Sequence, residues 1–353
     1  MSNLFLKLES HQKLHLPFVV FCKPNSDKII GLFQNDAHEY FIENFEEKGF
    51  VFAPFNGSKI PYIPVDASQV YVENATFLDF YLDDKILFSD DENSKSDFEE
   101  LVQKGINAIE NGTFQKVVLS RKESIAISNF DHETAFKKLI ANYPTAFKYC
   151  FFHPKIGLWV GASPEQFLKV NNQVIQTVAL AGTQVFEGDE NVNWGTKEQE
   201  EQQFVTNFIE SSFKKHVTEV SVSKPFTVKA GTIMHIKSTI SAKLLEHQNL
   251  RQIIETLHPT PAVCGLPKTE AMDFILQNEG YNREYYSGFL GELNIDLITF
   301  KTEESDLFVN LRCMKIDDSI VQLYMGCGIT KDSIPNKEYI ETVNKSMTMR
   351  QIL

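Results

Sequence analysis

Short apolar runs dominate the chain up to about residue 88. After that point the chain also contains longer segments in which apolar residues recur with helical periodicity. In the first stretch the runs are separated by Pro, Gly and Asn, a pattern typical of strands joined by turns. The predicted strands are Phe18–Cys22, Val51–Phe55 and Gln69–Tyr71. This pattern predicts an antiparallel sheet layer in the N-terminal part.

The second stretch follows a polar segment, residues 89–96. Apolar residues recurring every three or four positions predict helices at Asp97–Asn111, Glu133–Asn142, Lys197–His216 and Asn249–Leu257. Strands are predicted at Phe114–Ile127, Lys148–His153, Ile156–Gly161, Gln166–Val170, Gln173–Leu180, Phe308–Ile316 and Ser319–Cys327. Tight turns at 151–155 and 170–173 favour antiparallel pairing over parallel winding. The class is α+β, with residues 1–95 as an N-terminal sheet-forming part of the same domain as residues 96–353.

Composition and charge limit the classes of ligand and partner that the protein is expected to bind. The 353 residues are 42% hydrophobic, enough for a substantial core, and the formal charge of −13 argues against a nucleic-acid or anionic-membrane surface. An anionic ligand would therefore need a few placed cations or a metal ion. Five scattered cysteines without a CxxC pair, no signal peptide and no membrane-length apolar run predict a cytoplasmic protein with reduced thiols.

Two predicted helices each carry a pair of glutamates, and the two members of each pair are three residues apart. Glu198 and Glu201 share a face of a helix whose start, Thr196 with Gln199 three residues later, has the pattern of a capping box.

The second pair, Glu338 and Glu341, follows Ser333-Ile334-Pro335, with Lys345 on the same face. Either pair alone also fits a solvated helix face. If the pairs converged, their oxygens would suit Mg²⁺, but sequence spacing does not show convergence.

Several single residues could carry proton-transfer or anion-binding chemistry. Lys116 lies in a predicted strand, where a desolvated amine could act as a base, although an edge or snorkelling lysine has the same pattern. Glu165 ends the stiff turn 161–165 and could be an acid if its pKa were raised, or simply exposed. Arg312, on the alternating strand 309–312, could grip a carboxylate. Small residues at 181–183 would let backbone N–H groups approach an anion.

Taken together and in this order, these segments resemble the chorismate-binding enzyme family, which includes isochorismate, salicylate, anthranilate and aminodeoxychorismate synthases. The resemblance runs from about residue 96 to the C-terminus. It is carried by FQKVVLSR (114–121), GASPEQF (161–167), ALAGT (179–183), KEQEEQ (197–202), LHPTPAVCGLP (257–267), REYYSGFLG (283–291), NLRC (310–313), MGCGIT (325–330) and SIPNKEYIETVNK (333–345). The N-terminal 95 residues match much less clearly.

The resemblance implies a fold with two stacked antiparallel β-sheets flanked by helices, and a Mg²⁺ ion that holds the ring carboxylate of chorismate. It implies metal positions at Glu198, Glu201, Glu338 and Glu341. It places the substrate near Gly182, Thr183, His235, Tyr286, Arg312, Gly326, Gly328 and Lys345. Family members usually carry His where this chain has Gln202.

The resemblance also implies a choice of nucleophile. Ala181 stands where aminodeoxychorismate synthases carry a nucleophilic lysine, and anthranilate synthases generally lack a lysine corresponding to Lys116. These positions favour water, with Lys116 as catalytic base and Glu165 as catalytic acid. The implied activity is isochorismate synthase, feeding menaquinone or catecholate siderophore biosynthesis.

Alternatives remain at this point. Salicylate synthase, which eliminates pyruvate after the same first step, fits the same residues, and a non-catalytic chorismate-binding protein is a third hypothesis. We expect a monomer or homodimer without a glutamine amidotransferase subunit.

Overall fold

The computed structural model describes residues 3–75, 80–82, 86–87, 93–185, 193–214, 216–230, 233–245 and 250–353. The helices are α1 (Asn3–Lys13), α2 (Ser94–Glu110), α3 (His132–Asn142), α4 (Thr196–Phe213), α5 (Leu250–Leu257), α6 (Lys268–Asn278) and α7 (Pro335–Arg350). The first strands are β1 (Phe18–Cys22), β2 (Lys28–Gln34), β3 (Gly49–Ala53), β4 (Tyr62–Pro64), β5 (Ser68–Asn74), β6 (Lys116–Ala126), β7 (Phe147–His153), β8 (Gly157–Ser163) and β9 (Gln166–Asn171). The remaining strands are β10 (Val174–Val185), β11 (Val217–Val222), β12 (Phe226–Ala230), β13 (Ile233–Leu244), β14 (Gly265–Leu266), β15 (Phe289–Leu293), β16 (Glu304–Val309), β17 (Cys313–Asp317) and β18 (Ile320–Ile329).

Two large antiparallel sheets organise the molecule. The first has the order β14-β6-β18-β17-β8-β7-β1-β2-β5, and the second has the order β11-β13-β10-β9-β16-β15-β3-β4, with β12 added beside β13. Consecutive strands that form a hairpin belong to the same sheet, as β7 with β8 and β17 with β18 do. The α+β class and the antiparallel pairing are therefore confirmed.

The two sheets pack face to face through aromatic side chains. Phe147 of the first sheet stacks on Phe308 of the second with ring centroids 4.3 Å apart, and Phe151 stacks on Phe52 at 4.2 Å. Both pairs belong to one buried cluster with side chains from both sheets. Stacked rings bury large apolar areas, so this layer stabilises the central core.

Helices cover the outer faces of both sheets. Helices α1 and α3 pack on the first sheet, and α4 and α5 pack on the second. A fourth cluster joins α2 and α6 to β6 and β18. Because both faces of the sheets are covered, β7 is almost entirely buried and does not alternate between apolar and polar residues.

The N-terminal part contributes strands to both sheets. β1 pairs with β7 in the first sheet, and β3 pairs with β15 in the second. Strand formation was predicted for this part, whereas helix α1 was not. Among the described residues, none of the helices is both long and apolar enough to cross a membrane.

Three local predictions are wrong. The segment predicted as one strand, Phe308–Ile316, is divided between β16 and β17, which belong to different sheets. Arg312 therefore lies in the connecting turn, with φ of +47°, and not on a strand.

The strand predicted to end at Leu180 continues through 181–183 as β10, with an irregular register between Ala181 and Gln184. Helix α4 has no capping box: its N-cap is Gly195, and the Gln199 side chain donates to the carbonyl of Trp194 at 2.9 Å.

Candidate active site

One cavity, called here the central cavity, gathers nearly all of the predicted site residues. It encloses about 970 Å³ of space that is not filled by atoms, including open solvent at its mouth. The predicted residues along its wall are Lys116, Glu165, Gly182, Glu198, Glu201, His235, Tyr286, Arg312, Gly326, Gly328, Glu338, Glu341 and Lys345. Thr183 lies in β10, but its side chain is outside the described residues.

Lys116 is buried at the start of β6 and is ion-paired. Its Nζ lies 2.7 Å from Oε1 of Glu201, and the side chains are 3% and 16% exposed. β6 and β18 pair so that Val118 opposes Gly328. A Cβ at Gly328 would stand 2.9 Å from Oε1 of Glu201 and 3.1 Å from Cε of Lys116, so a larger residue there would require these side chains to shift.

Glu165 occupies the short connection between β8 and β9, where its backbone is fixed by β16. Its carbonyl accepts from the N–H of Val309 at 3.0 Å. Burial raises the pKa of its carboxyl to about 7, although the nearby charges of Lys116, Lys345 and Arg312 act in the opposite direction. Desolvation of a carboxylate outweighs those cations here, so a proton is held near neutrality.

Cationic groups stand around this carboxyl from two further elements. Lys345 on α7 donates to the carbonyl of Gly326 at 3.1 Å and lies 2.6 Å from Oε1 of Glu341. Arg312 sits in its turn with a left-handed backbone, a conformation that is uncommon for residues with a Cβ. Together they give an otherwise acidic protein a local site for an anion.

His235 on β13 is held next to the irregular part of β10. Its Nδ1 lies 2.8 Å from the carbonyl of Gly182, which requires the proton on Nδ1. Burial lowers its pKa to about 4, so the ring is neutral at physiological pH.

Gly182 has φ of +71°, and a Cβ there would stand 3.0 Å from Cβ of Glu198. Glycine at 182 thus lets α4 approach β10 closely.

Tyr286 is buried next to β18, the strand that contains Gly326 and Gly328. Its ring stacks on that of Tyr324 with centroids 5.6 Å apart. A Cβ at Gly326 would stand 2.9 Å from the Tyr286 hydroxyl oxygen. Burial raises the pKa of Tyr286, which remains a neutral hydroxyl.

The four predicted metal glutamates come from two helices and line the same cavity, so the two pairs do converge. Glu338 is buried, whereas Glu201 and Glu341 are ion-paired to lysines. Carboxylate oxygens are suitable Mg²⁺ ligands. In the described part of the chain, however, no group of three or more His, Cys, Asp or Glu side chains is arranged so that it could hold a metal ion. The donor chemistry fits a hard cation, but the lysine pairs would have to open.

Gln202 is buried and joins α4 to β13. Its side-chain amide donates to Oγ of Ser238 and to Oγ1 of Thr206, both at 2.9 Å. Glutamine therefore acts as a buried donor that holds the glutamate helix against the second sheet.

A buried network beneath the cavity was not predicted. Arg283 donates to both carboxylate oxygens of Glu279 and to the carbonyls of Val118 and Val263, which line the cavity. Ser120 donates its backbone N–H to the same carboxylate at 2.7 Å. The i,i+4 spacing of Glu279 and Arg283 is the only sequence signal, and it does not distinguish a buried pair from a solvated one.

Comparison with known proteins places these features in a family. Residues 72–353 match the family model described as chorismate binding enzyme. The chain is 29% identical over 266 residues to the salicylate biosynthesis isochorismate synthase of Pseudomonas aeruginosa, covering 72% of this chain and 54% of that protein. It is 27% identical over 265 residues to isochorismate synthase EntC of Escherichia coli K12, covering 72% of this chain and 66% of that protein.

These alignments span between about half and two thirds of the relatives' lengths. Among solved structures, MenF, the menaquinone-specific isochorismate synthase of Escherichia coli, superposes with a TM-score of 0.78 at 20% identity. The superposition covers 96% of this chain and 88% of that one, which shows a shared fold.

Proposed function

Because the chain belongs to the chorismate-binding enzyme family, we propose that it is an isochorismate synthase that isomerises chorismate by adding water at ring carbon C2 and releasing the C4 hydroxyl. This proposal is supported by the two relatives and the structural neighbour described above, which are isochorismate synthases. Isochorismate would then feed menaquinone or catecholate siderophore biosynthesis.

The observation that carries the proposal is the pairing of Glu165 with Lys116 across one cavity. Both side chains are buried. Lys116 lies on β6 of the first sheet, and Glu165 lies in the connection from β8 to β9, which joins the two sheets. The pKa of Glu165, raised by burial to about 7, leaves a carboxylic acid available near neutral pH. A general acid is most effective when its pKa lies near the working pH.

In the proposed reaction the Lys116–Glu201 ion pair has opened and Lys116 has released its proton to solvent. The neutral amine of Lys116 then takes a proton from the attacking water as the water oxygen bonds to C2. The ring double bonds shift, and the C4–O bond breaks. Glu165 gives its proton to the departing C4 hydroxyl, which leaves as water. Both residues must lie within hydrogen-bond reach of the groups they serve, either directly or through one water.

Substrate carboxylates would be held by the groups that line the same cavity. Arg312 and Lys345 supply positive charge, and the glycine backbones at 182, 326 and 328 allow close approach. Neutral His235 and the Tyr286 hydroxyl offer hydrogen bonds without adding charge. This arrangement would orient the ring between Lys116 and Glu165.

We propose Mg²⁺ as the cofactor, with Glu198, Glu201, Glu338 and Glu341 as the residues that would hold it. Bound there, the ion would neutralise carboxylate charge and withdraw electron density from the diene through the ring carboxylate. Opening of the Lys116–Glu201 and Lys345–Glu341 ion pairs would release the carboxylates for this role.

We further propose a cytoplasmic enzyme that acts without an amidotransferase subunit, as a monomer or homodimer. The five cysteines are free and buried, which agrees with a reducing compartment.

The deciding experiment incubates the pure protein with chorismate and Mg²⁺, without ammonia, and separates the products by chromatography. Isochorismate as the product supports the proposal. Salicylate with pyruvate would show the salicylate synthase reaction, and binding without turnover would show a non-catalytic protein.

A further inference from the structure

A second cavity lies behind the Lys116–Glu201 ion pair. It encloses about 1300 Å³, including open solvent, and lies between the end of α2, helix α4 and the start of α6. Its rim includes Thr113, Glu200 and Glu270, which are exposed. This cavity is therefore open to bulk water.

The second cavity meets the central cavity at one place. Lys116 and Glu201 are the two described residues that line both. Their ion pair is nearly closed to solvent, with Lys116 only 3% exposed. On the central side, the backbone of Gly328 lies against the same two side chains. The ion pair thus forms a partition between the two cavities.

The wall of the second cavity is suited to holding water next to this partition. Thr330 lines the cavity, and its Oγ1 is a buried atom without a hydrogen-bond partner within the described ranges of the chain. A buried hydroxyl of this kind is normally satisfied by an ordered water. Phe114 and Phe204 supply apolar parts of the wall, and polar side chains such as Gln115, Lys331 and Asp332 line the rest.

We infer that the second cavity is the route by which water reaches Lys116, on the side of the ion pair opposite to the bound substrate. This inference rests on the proposed function, in which Lys116 activates water. With the ring in the central cavity and Gly328 against the ion pair, Lys116 remains accessible to water from the second cavity when the pair separates.

The test uses a reversible plug in the second cavity. Glu270→Cys places a thiol on its rim, and the five native cysteines are buried, so a benzyl methanethiosulfonate label goes to the new site. Labelling should lower kcat several-fold without changing the KM for chorismate, and dithiothreitol should restore it. The matched control is Thr269→Cys, which is exposed on the same helix but does not line the cavity.

A second readout follows access to Lys116 without relying on turnover. Reductive methylation of Lys116 is measured by peptide mass spectrometry, with Mg²⁺ and excess chorismate present. We expect methylation to proceed in the unlabelled Glu270→Cys protein and to slow several-fold after labelling.

Equal methylation before and after complete labelling would overturn the route, as would unchanged kcat. Plug-dependent methylation in a protein that makes no isochorismate would support the route while refuting the proposed activity.

Discussion

Glu165 is a residue whose burial and electrostatic surroundings oppose each other. Lys116, Lys345 and Arg312 favour its carboxylate form, yet burial raises its pKa to about 7. The fold therefore keeps an acid protonated beside three cations. Such an arrangement costs stability once the group ionises, which makes Glu165 testable in two independent ways.

We predict that Glu165→Gln lowers kcat severely and leaves chorismate affinity nearly unchanged. Glutamine keeps the shape of the side chain but has no proton to deliver to the leaving hydroxyl. The wild-type rate should fall as the pH rises through about 7, where Glu165 loses its proton. Steady-state kinetics at pH values below and above about 7 check this, and a flat alkaline limb would contradict it.

Protein stability gives a second prediction for the same substitution. When folding raises the pKa of a carboxyl, the folded protein loses stability as the pH rises from the ordinary pKa to the raised pKa. For Glu165 this loss is complete above about pH 7. At about 1.36 kcal/mol per pKa unit, the upper bound is roughly 3 kcal/mol.

Glu165→Gln cannot titrate, so its free energy of unfolding relative to the wild type should increase between pH 4.5 and pH 8, a window set by the ordinary pKa and the raised pKa. Urea unfolding at both pH values measures the difference. The same difference at both pH values would mean that Glu165 does not carry this penalty.

Lys116 gives the third prediction, because its amine is the proposed base. Lys116→Ala should lower kcat severely with little change in chorismate affinity, since the amine acts mainly in the transition state. Binding is measured separately by calorimetry. A large loss of affinity with a normal kcat would make Lys116 a substrate anchor, and normal turnover would remove its role.

At the scale of elements, the site depends on two helices held against two sheets. Helix α4 is fixed to β13 by Gln202, and α7 is fixed to β6 through the buried Arg350–Glu123 ion pair and the bond from Arg121 to Thr342. The glutamates therefore project from helices that are anchored on their inner faces.

We predict that Gln202→Leu destabilises the protein by about 1–3 kcal/mol, because the hydroxyls of Ser238 and Thr206 lose a buried donor. Gln202→His, which keeps a ring N–H donor, should lose less. Urea unfolding of both variants is the measurement. Equal losses for leucine and histidine would show that packing volume, and not hydrogen bonding, determines the role of this position.

Most elements could be predicted because period-two and helical patterns report burial directly. The predicted ranges of β1, β7, β9 and α3 agree with the structure to within a residue. The turn at Arg312 escaped prediction because the apolar alternation continues through it while the backbone takes a left-handed φ.

Convergence of α4 with α7 and the ion pair of Lys116 with Glu201 could not be predicted from the residues alone. Both depend on side chains that are far apart in sequence. The resemblance to the family predicted which residues form the site, and the structure shows which of them contact one another.

At the scale of the whole molecule, the formal charge of −13 disfavours binding of an anion, so the cavity must supply positive charge locally. Five glutamates, the four of the proposed metal site and Glu165, line the cavity that is proposed to bind an anionic substrate. Lys116, Lys345 and Arg312 line it too and offset their charge. A divalent cation would relieve repulsion among the carboxylates and attract the substrate. Metal binding should therefore be coupled to the stability of the folded chain.

We predict that Mg²⁺ raises the melting temperature and that EDTA reverses the shift, in the absence of chorismate. A ligand that binds only the folded state stabilises it by about 2.7 kcal/mol at 100 times its Kd, which corresponds to several degrees for a chain of this size. Glu201→Gln and Glu338→Gln should abolish most of the shift because each removes a charged ligand. Glu210→Gln is the matched control: it removes one charge from the same helix, α4, but lies outside the cavity. Equal Mg²⁺ shifts in all three variants would place the binding elsewhere, and no shift in the wild type, together with full turnover after chelation, would remove the metal from the mechanism.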